Sequence, residues 1–168
     1  MDHVGVIMRL ILPSFLASFA VLAAIGSGSV VVNEVELNPA GEGILWVELY
    51  NSGEEPVDLG QWSVAIEVTL VAPGIWTGVI PIPKGTSIPP GGYYVAEGDR
   101  RWIHGNNATV VLRTDSWAEV DRTHPLNDEE GNDFSWSRYP NGVDTGTRSD
   151  WAFIKATPGA ENVLRAGL

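Results

Sequence analysis

The stretch from Trp62 to Leu70 limits the possible folds most, because apolar and polar side chains alternate along it without interruption. Its apolar positions are Trp62, Val64, Ile66, Val68 and Leu70. Strict alternation is typical of a β-strand that buries one face. No segment after residue 29 shows a helical period, and the 19 glycines and 11 prolines supply many turns. The sequence therefore predicts an all-β fold.

Shorter stretches of the same kind predict the remaining strands. They are Val30–Leu37, Ile44–Asn51, Thr77–Ile82, Tyr93–Glu97, Thr109–Arg113, Trp117–Arg122 and Phe134–Tyr139. In the first stretch, one face is assigned to Val31, Asn33, Val35 and Leu37. In the second, Leu45, Val47 and Leu49 oppose Trp46, Glu48 and Tyr50. Prolines around Thr77–Ile82 predict an edge strand or an irregular segment there. The spacing of strands and turns indicates a β-sandwich.

The segment ELYNSGEEPVDLGQW, residues 48–62, is interpreted as strand, turn and strand. Its loop carries Glu54, Glu55 and Asp58, whose charges are easily solvated at the surface. Trp62 continues the core side of its strand and is the best candidate for a central core aromatic. Trp136 and Trp151 are expected to pack around a terminal hairpin.

The N-terminal part of the chain has the pattern of an export signal. Arg9 precedes an apolar run from Leu10 to Ile25, and small residues follow that run. Cleavage of residues 1–28 is one interpretation, with Met8 an alternative start to Met1. An uncleaved membrane anchor is the other, although the run is shorter than the ~20 residues of a typical span. Both predict that residues 29–168 form an exported domain.

Charge and cysteine content exclude several classes of protein. The chain has no cysteine, which rules out disulfides, thiolate metal sites and a cysteine nucleophile. Its formal net charge of -11 opposes binding to the phosphate backbone of nucleic acids. No nucleic-acid partner is therefore expected.

Several stretches together resemble the lamin tail domain family, in the form found in secreted prokaryotic, especially archaeal, proteins. They are VVVNEVELNP at 30–39, WVELYNSGEEPVDLGQWSV at 46–64, IPPGGYYVAEG at 88–98, SWSRYPNG at 135–142 and ATPGAEN at 156–162. The resemblance implies an immunoglobulin-like β-sandwich over most of residues 29–168. It also implies a module without catalytic residues or an obligatory cofactor.

The loop NDEEGND at 127–133 is the most acidic cluster in the chain. Calcium prefers several oxygen ligands, so a possible calcium site is assigned to Asp128, Glu129, Glu130 and Asp133. Asp144 and Asp150 would add ligands if the C-terminal part folded beside this loop. The loop lacks the ligand spacing of a helix–loop–helix calcium site. A solvated surface loop is therefore the competing interpretation.

The exported part has two histidines, His104 and His124. Neither stands in a metal-binding pattern, and no Gly-x-Ser-x-Gly motif supplies a nucleophile. We therefore expect neither histidine to be catalytic. Asn107 begins an Asn-Ala-Thr glycosylation sequon, which is expected on a loop.

Trp46 and Tyr50 share a strand face and form a possible surface for a partner or sugar. The alternative is that both rings pack beneath the N-terminal strand or the last loop. Burial of the two rings would support the second interpretation.

The sequence as a whole favours a non-catalytic binding or structural module of the cell envelope. The expected partner is a surface protein or glycan. One alternative is a self-assembling surface or filament subunit that pairs with copies of itself by strand addition. A second is a small hydrolase with an unrecognised site. Contact with a membrane is expected only through residues 10–25, if they are retained.

Overall fold

The computed structural model describes residues 29–70, 74–100, 102 and 107–164. These residues form β-strands joined by turns and contain no α-helix. The strands are β1 (Val30–Glu36), β2 (Trp46–Asn51), β3 (Val57–Asp58), β4 (Ser63–Leu70), β5 (Gly74–Pro81), β6 (Ser87–Ile88), β7 (Tyr93–Glu97), β8 (Asn107–Arg113), β9 (Glu119–Arg122), β10 (Leu126–Asn127), β11 (Phe134–Arg138) and β12 (Trp151–Lys155). The all-β prediction is confirmed.

Two antiparallel sheets pack face to face as an immunoglobulin-like sandwich. The first sheet has the strand order β12-β11-β1-β2-β7. The second has the order β10-β8-β4-β5, with β9 also paired to β8. β3 and β6 form a separate two-stranded ribbon. The edge position predicted for the proline-flanked strand is confirmed, since β5 borders the second sheet.

The apolar core lies between the sheets and follows the predicted alternation of β2 and β4. Val64 and Ile66 of β4 are completely buried, and Trp62 joins the same cluster with 8% of its surface exposed. Val47 and Leu49 of β2 are also completely buried. The prediction that Trp62 is a core aromatic is confirmed.

The predicted face of β1 is wrong. The buried core side chains of this strand and its extension are Val30, Val32, Val35 and Leu37. The pairing of β1 with β2 shifts register between Val32 and Glu34, which marks a β-bulge. The bulge places Asn33 and Glu34 together on the outer face, so the inward positions change from even to odd numbers.

The hairpin of β8 and β9 also differs from the prediction, because Trp117 lies in the turn before β9 rather than in a strand. The β11–β12 hairpin carries the remaining predicted packing residues. Trp151 is 8% exposed, and Trp136 packs partly buried against the core.

Candidate functional site

The main polar feature of the described residues is a buried network on the outer face of the first sheet. Residues 157–162, here called the C-terminal strap, cross this face. Glu34 on β1 accepts hydrogen bonds from the Thr157 backbone N–H at 2.8 Å and from the Ser135 hydroxyl at 2.5 Å. Glu48 on β2 accepts one from the Gly159 N–H at 2.6 Å. Two buried carboxyl groups therefore bind the backbone of the strap.

Asparagine side chains complete this network. Asn33, placed outward by the bulge, donates to Glu48 Oε1 at 2.8 Å and accepts from the Gly142 N–H at 2.9 Å. Asn162 donates to the backbone oxygens of Asn33 and Arg138, at 3.2 and 2.9 Å. Buried polar groups need such partners, so the network stabilises the strap and the sheet together.

The carboxyl groups of this face titrate unusually because they are removed from water. Burial raises the pKa of Glu48 to about 7, against the lowering effect of its hydrogen bonds from Asn33 and Gly159. Burial likewise raises the pKa of Glu34. Removal from water disfavours the charged form of both acids and outweighs their hydrogen bonds, so they are easier to protonate than solvated carboxyl groups.

Arg138 and Asp121 form a second buried polar centre, which joins the two sheets. Arg138 on β11 is 1% exposed, and its Nη2 lies 3.1 Å from Asp121 Oδ2 on β9. The Val32 N–H donates to Asp121 at 2.7 Å, and Arg138 Nε donates to the Val32 oxygen at 2.7 Å. The two side chains thus satisfy the backbone groups of Val32 beside the bulge.

The other end of the guanidinium binds the loop between β11 and β12. Arg138 Nη1 lies 3.0 Å from Asp144 Oδ1 and 3.7 Å from Asp150 Oδ2. The guanidinium carbon sits 4.8 Å from the Trp151 ring. A hydrogen bond from the Thr145 hydroxyl contributes most to lowering the pKa of Asp150 to about 2. Asp144 and Asp150 therefore form ion pairs with Arg138 and do not join the acidic side chains of residues 127–133.

The predicted calcium ligands do not converge. Asp128 is 2% exposed, whereas Glu129 and Glu130 are exposed and bind the neighbouring amides of Asn127 and Asn132. Asp133 forms an ion pair with Lys155 at 2.6 Å. Within the described ranges, no group of three or more acidic or histidine side chains is arranged to hold a metal ion. Calcium binding at this loop stays a prediction.

Asp128 instead faces a neighbouring carboxyl group. Among the described residues, no amide, hydroxyl or cationic donor reaches its buried Oδ2 atom. Burial, with a further contribution from Asp128, raises the pKa of Glu36 to about 8. A protonated Glu36 can donate to Asp128, which explains how two buried acids remain in contact.

Trp46 and Tyr50 are both half-buried. The Tyr50 ring lies 5.0 Å from that of Tyr93, and the loop at Gly142 passes so close that a Cβ there would lie 2.5 Å from Tyr50. Tyr50 therefore packs beneath the last loop, as the alternative interpretation expects. A partner surface at Trp46 and Tyr50 stays a prediction.

His124 is set between aromatic rings. Its ring lies 6.1 Å from that of Trp136 and 6.0 Å from that of Trp151, and both its nitrogens are buried without a hydrogen-bond partner. Burial lowers its pKa, and the charge of Arg148 adds to this effect. Among the described residues, no acid or hydroxyl group therefore forms a hydrogen bond with the ring. His104 lies outside the described residues.

Asn107 is exposed, but it begins strand β8 and pairs with Asn127, so the predicted loop location is wrong. Whether the sequon is glycosylated stays a prediction. The hydrophobic residues 10–25 and the proposed cleavage region lie outside the described residues. Across the part of the chain that the structure describes, no helix has the length and apolarity that a membrane crossing requires.

The sequence patterns missed the buried polar centres. Glu34 and Glu48 stand inside valine- and leucine-rich strands, where an acid is unfavourable unless it is bonded. That conflict was a signal for them. No sequence pattern pointed to Arg138 and Asp121, because they come into contact only when the two sheets pack together.

A family model described as Lamin Tail Domain matches residues 23–141, well over half of the chain. The match ends before the strap, although the strap binds strands that lie within it. A comparison with curated proteins finds no match.

Proposed function

Because the chain belongs to the lamin tail domain family, we propose that it is an exported, non-catalytic binding or structural module of the cell envelope. The family is immunoglobulin-like and non-enzymatic, which supports the coarser part of this proposal. The export pattern of residues 8–29 supports the cellular location. The partner expected for such a module is a surface protein or a glycan.

The use of the polar side chains carries the proposal. Glu34, Glu48, Asp121 and Arg138 are buried ionisable groups, and each forms at least one hydrogen bond with the backbone. A catalytic group must instead be within reach of a substrate. Binding through the outer surface fits this arrangement better than hydrolysis does.

The test is retention of envelope material by the immobilised full chain at physiological salt. Purified envelope polysaccharide and detergent-extracted envelope protein are offered separately, each with and without calcium. We expect one of the two fractions to be retained in a saturable manner. Retention of neither fraction would contradict the proposal.

A pair of variants checks the predicted aromatic surface. Trp46→Ala removes a half-buried ring of the outer face, and Val79→Ala trims a partly exposed side chain on β5 of the other sheet. We expect the first variant to weaken retention and the second to leave it unchanged. Equal retention by both would place the binding surface elsewhere.

Self-assembly is a second candidate, because β12 and β5 are outer strands in the strand order of the two sheets. Outer strands present backbone groups on which another chain can pair. Sedimentation over a hundredfold range of concentration tests this candidate. A mass that rises with concentration supports it, and a constant monomer mass excludes it.

A further inference from the structure

Trp117 combines high exposure with a strained backbone. Its side chain is 65% exposed, and its φ angle is 66°. A positive φ is uncommon for any residue other than glycine and is an outlier for a bulky one. Since most of the ring is in solvent, burial does not compensate for this conformation.

The turn that holds Trp117 explains the conformation. The Trp117 N–H donates to the Thr114 oxygen at 3.0 Å, and the Thr114 N–H donates to the Ala118 oxygen at 2.9 Å. This is a three-residue hairpin loop that ends in a left-handed position, where glycine is the usual choice. Strained residues of this kind are concentrated at functional sites.

The position of Trp117 along the sandwich follows from two contacts with β1. Asp121 of β9 binds the N–H of Val32, and Asp128, just after β10, faces Glu36. The chain from β9 to β10 thus runs in the same direction as β1. Followed towards the N-terminus, both segments lead to the end of the sandwich at which β1 begins. Trp117 and Ser29 therefore lie at the same end.

Ser29 is also the point where the hydrophobic N-terminal segment joins the domain. Only residues 26–28 separate it from Ile25, the last residue of the apolar run. Four residues of extended chain span at most about 14 Å, so a membrane segment that ended at residue 25 would keep Ser29 close to that membrane. If residues 10–25 stay in a membrane, the end of the sandwich that carries Trp117 faces that membrane.

The charge at this end selects the kind of lipid surface. Ser52 donates its N–H to the Ser29 oxygen, and the loop that follows Ser52 exposes Glu54 and Glu55. Asp115 is exposed in the same turn as Trp117. Carboxylates repel anionic headgroups, so a zwitterionic surface is the compatible one.

We propose that Trp117 is an interfacial anchor, which inserts its indole ring into the zwitterionic headgroup region of the membrane that retains the N-terminal segment. Tryptophan favours this region because its ring is apolar and its N–H is polar. The inference rests on the export proposed above, and it adds that residues 10–25 stay in the membrane. It also gives the strained turn a role, since the turn fixes the ring at the tip of a hairpin.

The experiment uses the full chain reconstituted into phosphatidylcholine vesicles that contain nitroxide-labelled phosphatidylcholine as an interfacial quencher. Trp117→Gly removes the ring and suits the positive φ, so this variant is expected to fold. Phe134→Trp is the control, because Phe134 is 39% exposed at the opposite end of the sandwich. Unfolding in detergent is followed for all proteins to confirm that each is folded.

We expect Trp117→Gly to remove most of the quenching seen with the unchanged chain, and the added ring of Phe134→Trp to remain unquenched. Equal quenching in the unchanged chain and Trp117→Gly would overturn the proposal, as would a chain that fails to associate with the vesicles. Retention of envelope material would be unaffected by either failure, so the two proposals are separable.

Discussion

Arg138 and Asp121 bind the backbone of the same residue, Val32, from opposite sheets of the sandwich. Removing either side chain would leave the charge of the other buried without its partner. It would also leave one backbone group of Val32 without its hydrogen bond. Their ion pair at 3.1 Å joins β11 of the first sheet to β9 of the second.

Replacing Arg138 with Met is expected to lower the free energy of unfolding by about 3–5 kcal/mol, because Asp121 would remain buried without its partner. Arg122→Met is the control, since Arg122 is 41% exposed in its ion pairs with Glu67 and Glu119. The control should cost no more than about 1 kcal/mol. Urea unfolding measures both. Similar losses would show that the buried pair has no special role.

Truncation distinguishes the strap from the residues after it. Ending the chain at Ala156 removes the donors that Thr157 and Gly159 supply to Glu34 and Glu48. Each unsatisfied buried group costs about 1–3 kcal/mol, so a loss of several kcal/mol is expected. Ending it at Asn162 should change little, because Val163 and Leu164 are about half exposed. Thermal unfolding of the two truncated chains makes the comparison.

Glu48 should make the domain less stable as the pH rises. Its pKa is about 7 in the folded state and 4.5 without the fold. Between these values the folded state holds a proton that the unfolded state releases, so stability falls with increasing pH. The loss is complete above pH 7 and amounts to at most about 3 kcal/mol.

Glu48→Gln isolates this effect, since its side chain stays neutral across the range. The lowered pKa of His124 acts in the opposite direction, with stability lost as the pH falls below about 6.5. Because both proteins contain His124, its contribution cancels in their difference. We expect the stability of the unchanged protein relative to Glu48→Gln to decline from pH 4.5 to 7. A difference that is constant with pH would contradict this assignment.

The competing interpretation, a solvated surface loop at residues 127–133, predicts that millimolar calcium leaves the unfolding temperature unchanged. Asp133 is held by Lys155, and the exposed Glu129 and Glu130 bind neighbouring amides. Differential scanning calorimetry with calcium and with chelator gives the answer. A rise in unfolding temperature that disappears in Asp128→Asn would instead establish the loop as a calcium site.

Local patterns allowed the sandwich to be predicted, but not the polar centres within it. The alternation from Trp62 to Leu70 depends only on which face is buried, so it is visible in the sequence. β1 is rich in valine on both faces, and its bulge therefore left no visible break in the pattern. The position of Asn33 shows the result, since one extra residue moves it from the core to the outer face.

The C-terminal strap has a consequence for the order in which the domain is completed. Thr157 binds Glu34 across 123 positions of sequence, and Gly159 binds Glu48 across 111. Glu34 and Glu48 therefore lack these hydrogen-bond donors until nearly all of the domain has been synthesised. Contacts between distant residues also slow folding. In a chain that crosses a membrane from its N-terminus, β1 and β2 would emerge first. Their hydrogen bonds to the strap would form only after residues 157–162 had also crossed.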